Sequence, residues 1–547
     1  MRSFIFISVS LAILFAPAFA VLEIPNAQPK VGAEQWKVVL DNTWAGMKVR
    51  NIKECESKPI YNGQSVKSGL ICRPKSETPW DAVSEGIGYG MLLALYADDQ
   101  ETFDLIYKAG KGFSMNYCQN WRQPPSGGRG DGDGGSASDA DEDIAAALIF
   151  AAKLREKGKW KDTGINYGTD ATSAVNCVRG LLSNGLLKPG SNWCPGSFPG
   201  AWGCGAYNPG YFAPAWFRLF KAFDANNAST WDNAISKSYE LIASNPGFSK
   251  GLIPDWTNAS GQTLSSGPGY NAYLNGNAFF KDAIRMLWRV ANDVIWFPNE
   301  HSENSTGRTY LKNAVNFITD KGGPKAANFY AMNGNLIPEN DKWTDFNDNK
   351  NSETWRWRRE HSHLTVGQWL TAAMAVGTDE QKKAWSSKMA EFYDWENKVD
   401  FFGNVIDPNP GGIEDTLHNE MYFDQFLAWF GVSLMSGTWV NVVALLDNPV
   451  ANTAGILDLP WPSEPDPDPD PDPPLIVKRN HLPGIQISQS PGTLRMSSKN
   501  DVSWKIHDLQ GKLLFSSKSR ETSWNVGNFK GMAVVSANSE RKLIAIR

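Results

Sequence analysis

The chain has 547 residues, enough for one large domain with smaller additions. Its 53 basic and 58 acidic residues give a formal net charge of −5, which argues against a nucleic-acid partner or an anionic membrane surface. The 23 tryptophans suit a large helical core, and they also suit stacking against the flat faces of sugars.

The first twenty residues carry Arg2, then an apolar run, and end in the small-residue pattern Ala18-Phe19-Ala20. This is the pattern of a secretory signal peptide that is cleaved after Ala20. No later segment of the sequence has the length and apolar content of a membrane span. The sequence therefore predicts a signal peptide over residues 1–20 and a protein that is secreted, either extracellular or attached to the outer cell surface.

The six cysteines, an even number, fit an oxidising compartment and predict disulfide bonds. No two of them form a CxxC pair, so a zinc site built on thiolates is not predicted. Spacing alone does not settle how six cysteines pair. The favoured pairs are Cys194–Cys204 and, second, Cys55–Cys72, which would leave Cys118 and Cys177.

Residues 21–455 are predicted to form one mostly helical domain. Apolar runs recur between loops rich in Gly, Pro and Asn, and many are apolar nearly all round, so protein must surround them. A closed double ring, in which outer helices cover inner ones, accounts for this pattern. The runs are Gly90–Ala97, Ile144–Leu154, Pro214–Phe223, Ala283–Trp296, Leu364–Val376 and Phe423–Met435.

Two of these apolar helices begin with acids. Glu85 precedes the first run, and three glycines beside it, at 86, 88 and 90, predict a close approach of backbone or ligand because glycine is costly in a helix. Ser138, a predicted N-cap, precedes the second run and is followed by four acids. Capping and the helix dipole account for acids at such positions. The four acids are Asp139, Asp141, Glu142 and Asp143.

In a ring of inner helices, however, equivalent helix ends converge on one cavity. Carboxylates gathered there are costly unless they bind cations or take part in acid–base chemistry. We therefore expect part of the acidic group to be functional and the rest to cap and solvate the helix end.

The segments SEGIGYGMLLALYADDQETFD and ASDADEDIAAALIFAAK resemble glycoside hydrolase family 8, a family of inverting β-glycanases. The resemblance continues, in the family's order, through Tyr207–Phe220, Phe279–Phe297 and Met421–Gly437. It implies an all-α (α/α)6 barrel over residues 21–455. It also implies a secreted endo-β-1,4-glucanase, a cellulase that hydrolyses cellulose-type β-glucans with inversion.

Carried over residue by residue, the resemblance makes Glu85 the general acid and Asp282 the general base that activates water. Asp139 is implied to hold and distort the sugar at the cleavage point. Aromatic residues near these motifs, Trp193 and Trp216 among them, are candidates as a group for sugar subsites. The predicted substrate-binding residues are Tyr89, Trp121, Asp141, Trp202, Tyr211 and Arg285.

Other functions fit the same residues less well. Chitosanase and xylanase are alternatives inside the family, and a non-catalytic carbohydrate-binding protein is an alternative outside it. Residues 131–142 resemble an EF-hand calcium loop only superficially, because Gly135 and Ser136 replace a ligand and the turn glycine. The predicted partner is thus a β-glucan polysaccharide or oligosaccharide, without nucleic acid, membrane span, metal or cofactor, and the chain is predicted to be a monomer.

Past residue 455 the composition changes twice. Residues 456–474, rich in alternating Pro and Asp, are predicted to be an extended linker. Residues 475–547 contain short β-rich runs and are predicted to form a small β-sandwich. Their segments 502–517 and 525–547 are similar to tails used for type IX-like sorting, which implies contact with a secretion machinery. Trp504 and Trp524 allow a carbohydrate-binding alternative.

Overall fold

In a computed structural model, the chain forms two compact units, Met1–Pro465 and Asp466–Arg547. Predictions for other residues, including the signal peptide, lie outside the described part. The described residues are 21–22, 24, 28–32, 34–53, 60–61, 64–65, 69–72, 82–111, 114–115, 118–123, 135–191, 205–264, 278–336, 363–393, 422–449, 456–457, 485–490, 493–508, 513–525, 531–537 and 540–546.

The described part of the first unit is rich in helix, as predicted, and each of the predicted apolar runs overlaps a helix. In none of these helices are length and apolar content together sufficient to cross a bilayer. The helices are α1 (Gln35–Asn51), α2 (Ser84–Tyr96), α3 (Gln100–Lys111), α4 (Ser138–Glu156), α5 (Tyr167–Leu181), α6 (Pro214–Phe223), α7 (Ala228–Ala243), α8 (Arg285–Trp296), α9 (Thr306–Asp320), α10 (His363–Val376), α11 (Asp379–Glu391), α12 (Tyr422–Met435) and α13 (Val442–Asp447).

The even-numbered helices from α2 to α12 form a closed ring. Each contacts the next even-numbered helix, and α12 contacts α2 again. The odd-numbered helices α1 to α11 pack outside, each against a helix of the ring. This arrangement explains why the ring helices carry apolar residues on all sides: one face meets the ring interior, and the others meet neighbouring and outer helices.

Gly88, which has no side chain, lets two ring helices pack closely next to their acidic ends. A Cβ at Gly88 on α2 would lie 3.0 Å from the Cβ of Asp143 and 3.2 Å from the carbonyl oxygen of Ala140, both on α4. Such distances are shorter than ordinary carbon contacts, so a larger residue would push the helices apart. The predicted close approach is therefore, at Gly88, an approach of α2 to α4.

Short two-residue strands connect the helices, and they pair antiparallel except for the parallel pair β1–β14. Because β14 pairs with β1, the first unit extends into the predicted linker. The strands are β1 (Lys30–Val31), β2 (Ile52–Lys53), β3 (Ile60–Tyr61), β4 (Gln64–Ser65), β5 (Leu70–Ile71), β6 (Ala82–Val83), β7 (Ser114–Met115), β8 (Cys118–Gln119), β9 (Arg122–Gln123), β10 (Leu182–Ser183), β11 (Leu186–Leu187), β12 (Ala278–Phe279), β13 (Tyr330–Ala331) and β14 (Ile456–Leu457).

The described residues of the second unit form one antiparallel sheet. One edge of the long strand β16 pairs with β17, and the other edge pairs with β15 and then with β18. Trp504 is completely buried and Trp524 is 9% exposed, within a small apolar core. A second sheet, which a sandwich requires, stays a prediction. The strands are β15 (Ile485–Ser490), β16 (Thr493–Asp508), β17 (Leu513–Asn525), β18 (Gly531–Ala537) and β19 (Glu540–Ile546).

Candidate active site

The predicted acids meet at one buried arginine, Arg285, the first residue of α8. Its Nη1 donates to Glu85 Oε2 at 2.7 Å and to Asp139 Oδ2 at 2.8 Å. Its Nη2 donates to Asp282 Oδ1 at 2.9 Å. Three carboxylates from distant parts of the sequence therefore surround one guanidinium, and the structure brings together the acid, the base and the sugar-holding residue that the sequence predicted.

The helical ring explains this convergence. Glu85 and Asp139 are the second residues of α2 and α4, Arg285 is the first residue of α8, and Asp282 lies in the turn just before it. These three ring helices therefore begin at the same end of the ring. The side chains of Glu85 and Asp282 are 18% and 34% exposed, whereas those of Asp139 and Arg285 are 2% and 0% exposed. Two of the three carboxylates thus reach solvent.

Burial raises the pKa of the Glu85 carboxyl to about 8. The ion pair with Arg285 opposes this shift, the negative charge of Asp139 adds to it, a hydrogen bond from Tyr422 opposes it, and Asp282 adds to it. The Tyr422 hydroxyl donates that bond to Glu85 Oε1 at 2.7 Å. Glu85 is therefore protonated at neutral pH, although a helix N-terminus by itself favours the ionised form.

Two side chains bind the Asp282 carboxylate, and a third fixes the backbone next to it. Arg285 takes its Oδ1, and the Asn208 side-chain amide donates to its Oδ2 at 3.1 Å. Below it, the buried carboxylate of Asp255 accepts the backbone N–H of Ala283 at 2.8 Å. Burial raises the pKa of Asp255 well above its ordinary value, and the charge of Asp282 adds to that shift. The Asp282 carboxylate thus has a fixed orientation, and its side chain is partly exposed.

Two aromatic rings pack against the guanidinium of Arg285. The Cζ of Arg285 lies 5.0 Å from the ring centre of Tyr211 and 5.6 Å from that of Phe423. Its Nη1 also donates to the hydroxyl of Tyr89 at 3.2 Å. Tyr89 and Arg285 are both fully buried. They were predicted to bind substrate, but in the structure both are buried beneath the acids: Arg285 contacts the acids, and Tyr89 contacts Arg285.

A second arginine layer lies one helical turn deeper. Arg289 donates to both oxygens of Asp143, and Trp216 Nε1 donates to Asp143 Oδ1 at 2.7 Å. The Glu142 carboxylate lies 3.4 Å from Arg289 Nη2 and accepts no hydrogen bond from the described residues. Burial raises its pKa well above the ordinary value; the charge of Arg289 opposes this shift.

This layer corrects two expectations. Glu142 and Asp143 are completely buried, so they do not solvate the end of α4. Helical spacing explains why: Asp143 follows Asp139 by four residues and shares its face, toward the ring interior. Trp216 is 1% exposed, so its ring cannot stack on a sugar.

Asp141 lies on the opposite face of α4. Its Oδ1 accepts the backbone N–H of Gln119 at 2.7 Å, and it lies beside the disulfide that joins Cys118 to Cys177 on the outer helix α5. Burial raises the pKa of Asp141 to about 7. Asp141 is therefore separated from the Arg285 cluster, in contrast to its predicted substrate-binding role. Because both neighbouring sulfurs are in the disulfide, they are not free thiolate ligands for a metal.

The structure also places the other predicted residues. The start of α4 differs from the prediction, since Ser138 is its first residue and Ala137 occupies the N-cap position. Trp121 is half-buried at the start of α2, where its carbonyl oxygen accepts the N–H of Ser84 at 2.9 Å. Cys72 is in a disulfide. Trp193, Trp202 and the predicted Cys194–Cys204 bond lie outside the described residues, as does Cys55.

Four site residues were not predicted from the sequence: Tyr422, Asn208, Asp255 and Arg289. Tyr422 is the first residue of the last ring helix, in the same first turn where α2 and α4 carry their acids, and this is a usable signal. Arg289 follows Arg285 by four residues, which matches the spacing of Asp139 and Asp143 on α4. For Asn208 and Asp255, which lie in loops, nothing in the sequence pattern indicated a contact with Asp282.

Comparisons with known proteins cover the part of the chain that contains this cluster. The sequence profile of "Glycosyl hydrolases family 8" matches residues 65–328, a range that includes Glu85, Asp139, Asp282 and Arg285. "Endoglucanase 2" of Ruminiclostridium josui is 37% identical over 271 residues, which are 48% of this chain and 53% of that protein. "Endoglucanase C" of Ruminiclostridium cellulolyticum is 35% identical over 271 residues, with the same coverage of 48% and 53%. The chain thus spans about half the length of these relatives.

Among solved structures, the crystal structure of a reducing-end xylose-releasing exo-oligoxylanase superimposes with a TM-score of 0.53 and 21% identity, covering 74% of this chain and 92% of that one. At this identity the likeness concerns the fold. The profile match supports the resemblance for residues 65–328, and the structural likeness supports a shared helical fold.

Proposed function

We propose that the protein is an inverting endo-β-1,4-glucanase that hydrolyses cellulose-type β-glucans. The observation that carries this proposal is the Arg285 cluster, in which a protonated carboxyl and a second, partly exposed carboxylate flank one guanidinium. Inverting hydrolysis needs a protonated carboxyl at the leaving oxygen and an ionised one that activates water on the opposite face of the sugar. The names and identities of the endoglucanase relatives support the choice of substrate.

In this mechanism Glu85 donates its proton to the glycosidic oxygen as the bond breaks. Its raised pKa of about 8 keeps the proton available at neutral pH. Asp282 removes a proton from the water that attacks the anomeric carbon. Both carboxylates bind Arg285, but through different nitrogens, so a guanidinium lies between them. Inverting enzymes keep the two carboxyl groups about 6.5–9.5 Å apart, which leaves room for that water.

The neighbouring charges act on the protonation of Glu85. Asp139 adds negative charge near Glu85 and raises its pKa, while Arg285 stops the three carboxylates from repelling one another. We propose that Asp139 also holds the sugar at the cleavage point, as the family resemblance implies. Tyr211, half-buried against Arg285, is proposed as one wall of the sugar subsite.

We also propose the finer features of the architecture. The double ring is proposed to be an (α/α)6 barrel, and the second unit a β-sandwich that serves as a sorting signal. The burial of Trp504 and Trp524 supports sorting, because buried rings offer no flat face to a sugar. The signal-peptide pattern supports export, and we propose that the protein acts outside the cell as a monomer.

One experiment separates the functions that fit this site. Reducing-sugar release is measured on carboxymethyl cellulose, chitosan and xylan with the wild-type enzyme and with Glu85→Gln. We expect the highest release from carboxymethyl cellulose and almost none with the variant. Preference for chitosan or xylan would replace the glucanase by another activity of the family. Release from none of the three would contradict an enzymatic role.

A further inference from the structure

The loop that contains Asn208 packs directly against the predicted base. Asn208 is completely buried, and its Nδ2 donates to Asp282 Oδ2 at 3.1 Å. Two residues later, a Cβ at Gly210 would collide with the carbonyl oxygen of Asp282. Only glycine therefore lets the loop come close enough for the Asn208 amide to reach the carboxylate.

The orientation of the Asn208 amide is fixed by a second hydrogen bond. Its Oδ1 accepts the backbone N–H of Gly210 at 3.0 Å, closing a tight turn. Because the oxygen is used in this way, the end that faces Asp282 is the NH₂ group, which can only donate. A donor favours the ionised form of a carboxylate, and this neutral one adds no charge to a crowded cluster.

We infer that Asn208 is a positioning residue for the general base: its amide holds the Asp282 carboxylate oriented toward the attacking water. The inference rests on the proposed function, in which Asp282 is that base. Arg285 occupies the other oxygen of the carboxylate. The Asp282 carboxylate is thus bound at both oxygens, by the charged Arg285 at one and by the neutral Asn208 amide at the other. A carboxylate oxygen can accept more than one hydrogen bond, so Oδ2 can still take a proton from water.

The chain contains a matched control for this residue. Asn245-Pro246-Gly247 repeats the sequence of Asn208-Pro209-Gly210. Asn245 is also buried, and its Oδ1 accepts the N–H of Gly247 at 2.9 Å. Its Nδ2, however, donates to the carbonyl oxygen of Gly261. The same turn thus orients an amide toward backbone in one place and toward the predicted base in the other.

The test compares Asn208→Ser with Asn245→Ser. A serine hydroxyl can still accept the glycine N–H in such a turn, but it is too short to replace the amide donor. We expect Asn208→Ser to lower kcat about 10-fold with little change in KM, because a hydrogen bond to a charged group is lost. A merely structural role would not confine the loss to kcat. Asn245→Ser, whose amide donates to a backbone carbonyl, should leave both kcat and KM unchanged.

Thermal melting of both variants shows whether they fold. If Asn208→Ser does not fold, Asn208→Asp keeps the shape and the turn but has no amide donor for Asp282, and it should also lower kcat with little change in KM. A wild-type kcat in a folded Asn208 variant would overturn the inference. The proposed function is tested separately: an active wild-type enzyme and an inactive Asp282→Asn variant would leave it standing in that case.

Discussion

Two arginines on one helix face, Arg285 and Arg289, organise two layers of carboxylates in different ways. Arg285 divides its donors among Glu85, Asp139 and Asp282, and two of these acids are 18% and 34% exposed. Arg289 gives both of its terminal nitrogens to one carboxylate, in a layer where every acid is completely buried.

The comparison shows how a single pattern serves two purposes. Acids four residues apart on α4 face arginines four residues apart on α8, so each turn of the ring interior repeats the same pairing. The outer pairing lies at the helix ends, where the neighbouring carboxyl groups of Glu85 and Asp282 reach solvent. The inner pairing is closed off by Trp216, whose Nε1 donates to Asp143. We therefore expect changes in the outer layer to affect catalysis and changes in the inner layer to affect stability.

The largest effect is expected in the outer layer. Glu85→Gln removes the proton donor and Asp282→Asn removes the base, each with little change in shape. General acid–base catalysis is worth about 10²–10⁴ in rate, so each variant should lose that much in kcat. Substrate binding, measured by calorimetry with a soluble oligosaccharide, should persist in both. A loss of binding equal to the loss of rate would assign these residues to substrate recognition.

The next largest effect is expected in the inner layer. Arg289→Met leaves Asp143 buried without its ion partner, which costs about 3–5 kcal/mol of unfolding free energy when a buried pair is broken. Chemical denaturation measures the loss. Lys221→Met, which breaks an ion pair whose side chains are 43% and 54% exposed, is the control and should cost at most about 1 kcal/mol. Equal losses in the two variants would show that the buried Arg289–Asp143 pair contributes no more to stability than an exposed ion pair.

A smaller effect is expected for Glu142, the inner acid that accepts no hydrogen bond from the described residues. The pKa of Glu142 is raised well above its ordinary 4.5 in the folded protein, so it favours folding below that pH and this stability is lost as pH rises through the folded pKa. Glu142→Gln cannot ionise, so its unfolding free energy should fall less than that of the wild type on going from mildly acidic to alkaline pH. Parallel pH–stability curves for the two proteins would contradict a protonated Glu142.

The smallest effect concerns Tyr422. Its hydroxyl donates to Glu85 and lowers the pKa of that carboxyl. Tyr422→Phe removes the bond, so the pKa should rise from about 8 by roughly half a unit to one unit, as expected for one hydrogen bond. Because Glu85 must be protonated to act, the alkaline limb of kcat/KM should move to higher pH. A shift to lower pH would mean that the hydroxyl acts on a different group.

The sequence predicted the outer layer better than the inner one, for a physical reason. Glu85, Asp139 and Asp282 lie in segments whose resemblance to a known family is local and could be recognised. The roles of Glu142 and Asp143 depend on which face of α4 meets the ring, and acids in the first turn of a helix are more often at the surface. Asn208 contacts Asp282 from a loop, and no local sequence pattern indicates that contact. The bond between Cys118 and Cys177 could be reached from the sequence only by elimination.

The most direct test of the proposed mechanism is the anomeric configuration of the first product. Proton NMR is recorded during the early hydrolysis of a β-linked glucan oligosaccharide, before mutarotation mixes the anomers. If Glu85 is the acid and Asp282 activates water, the α-anomer appears first, because a single displacement inverts the configuration. If the β-anomer appears first, the reaction passes through a covalent intermediate, and the role assigned to Asp282 is wrong.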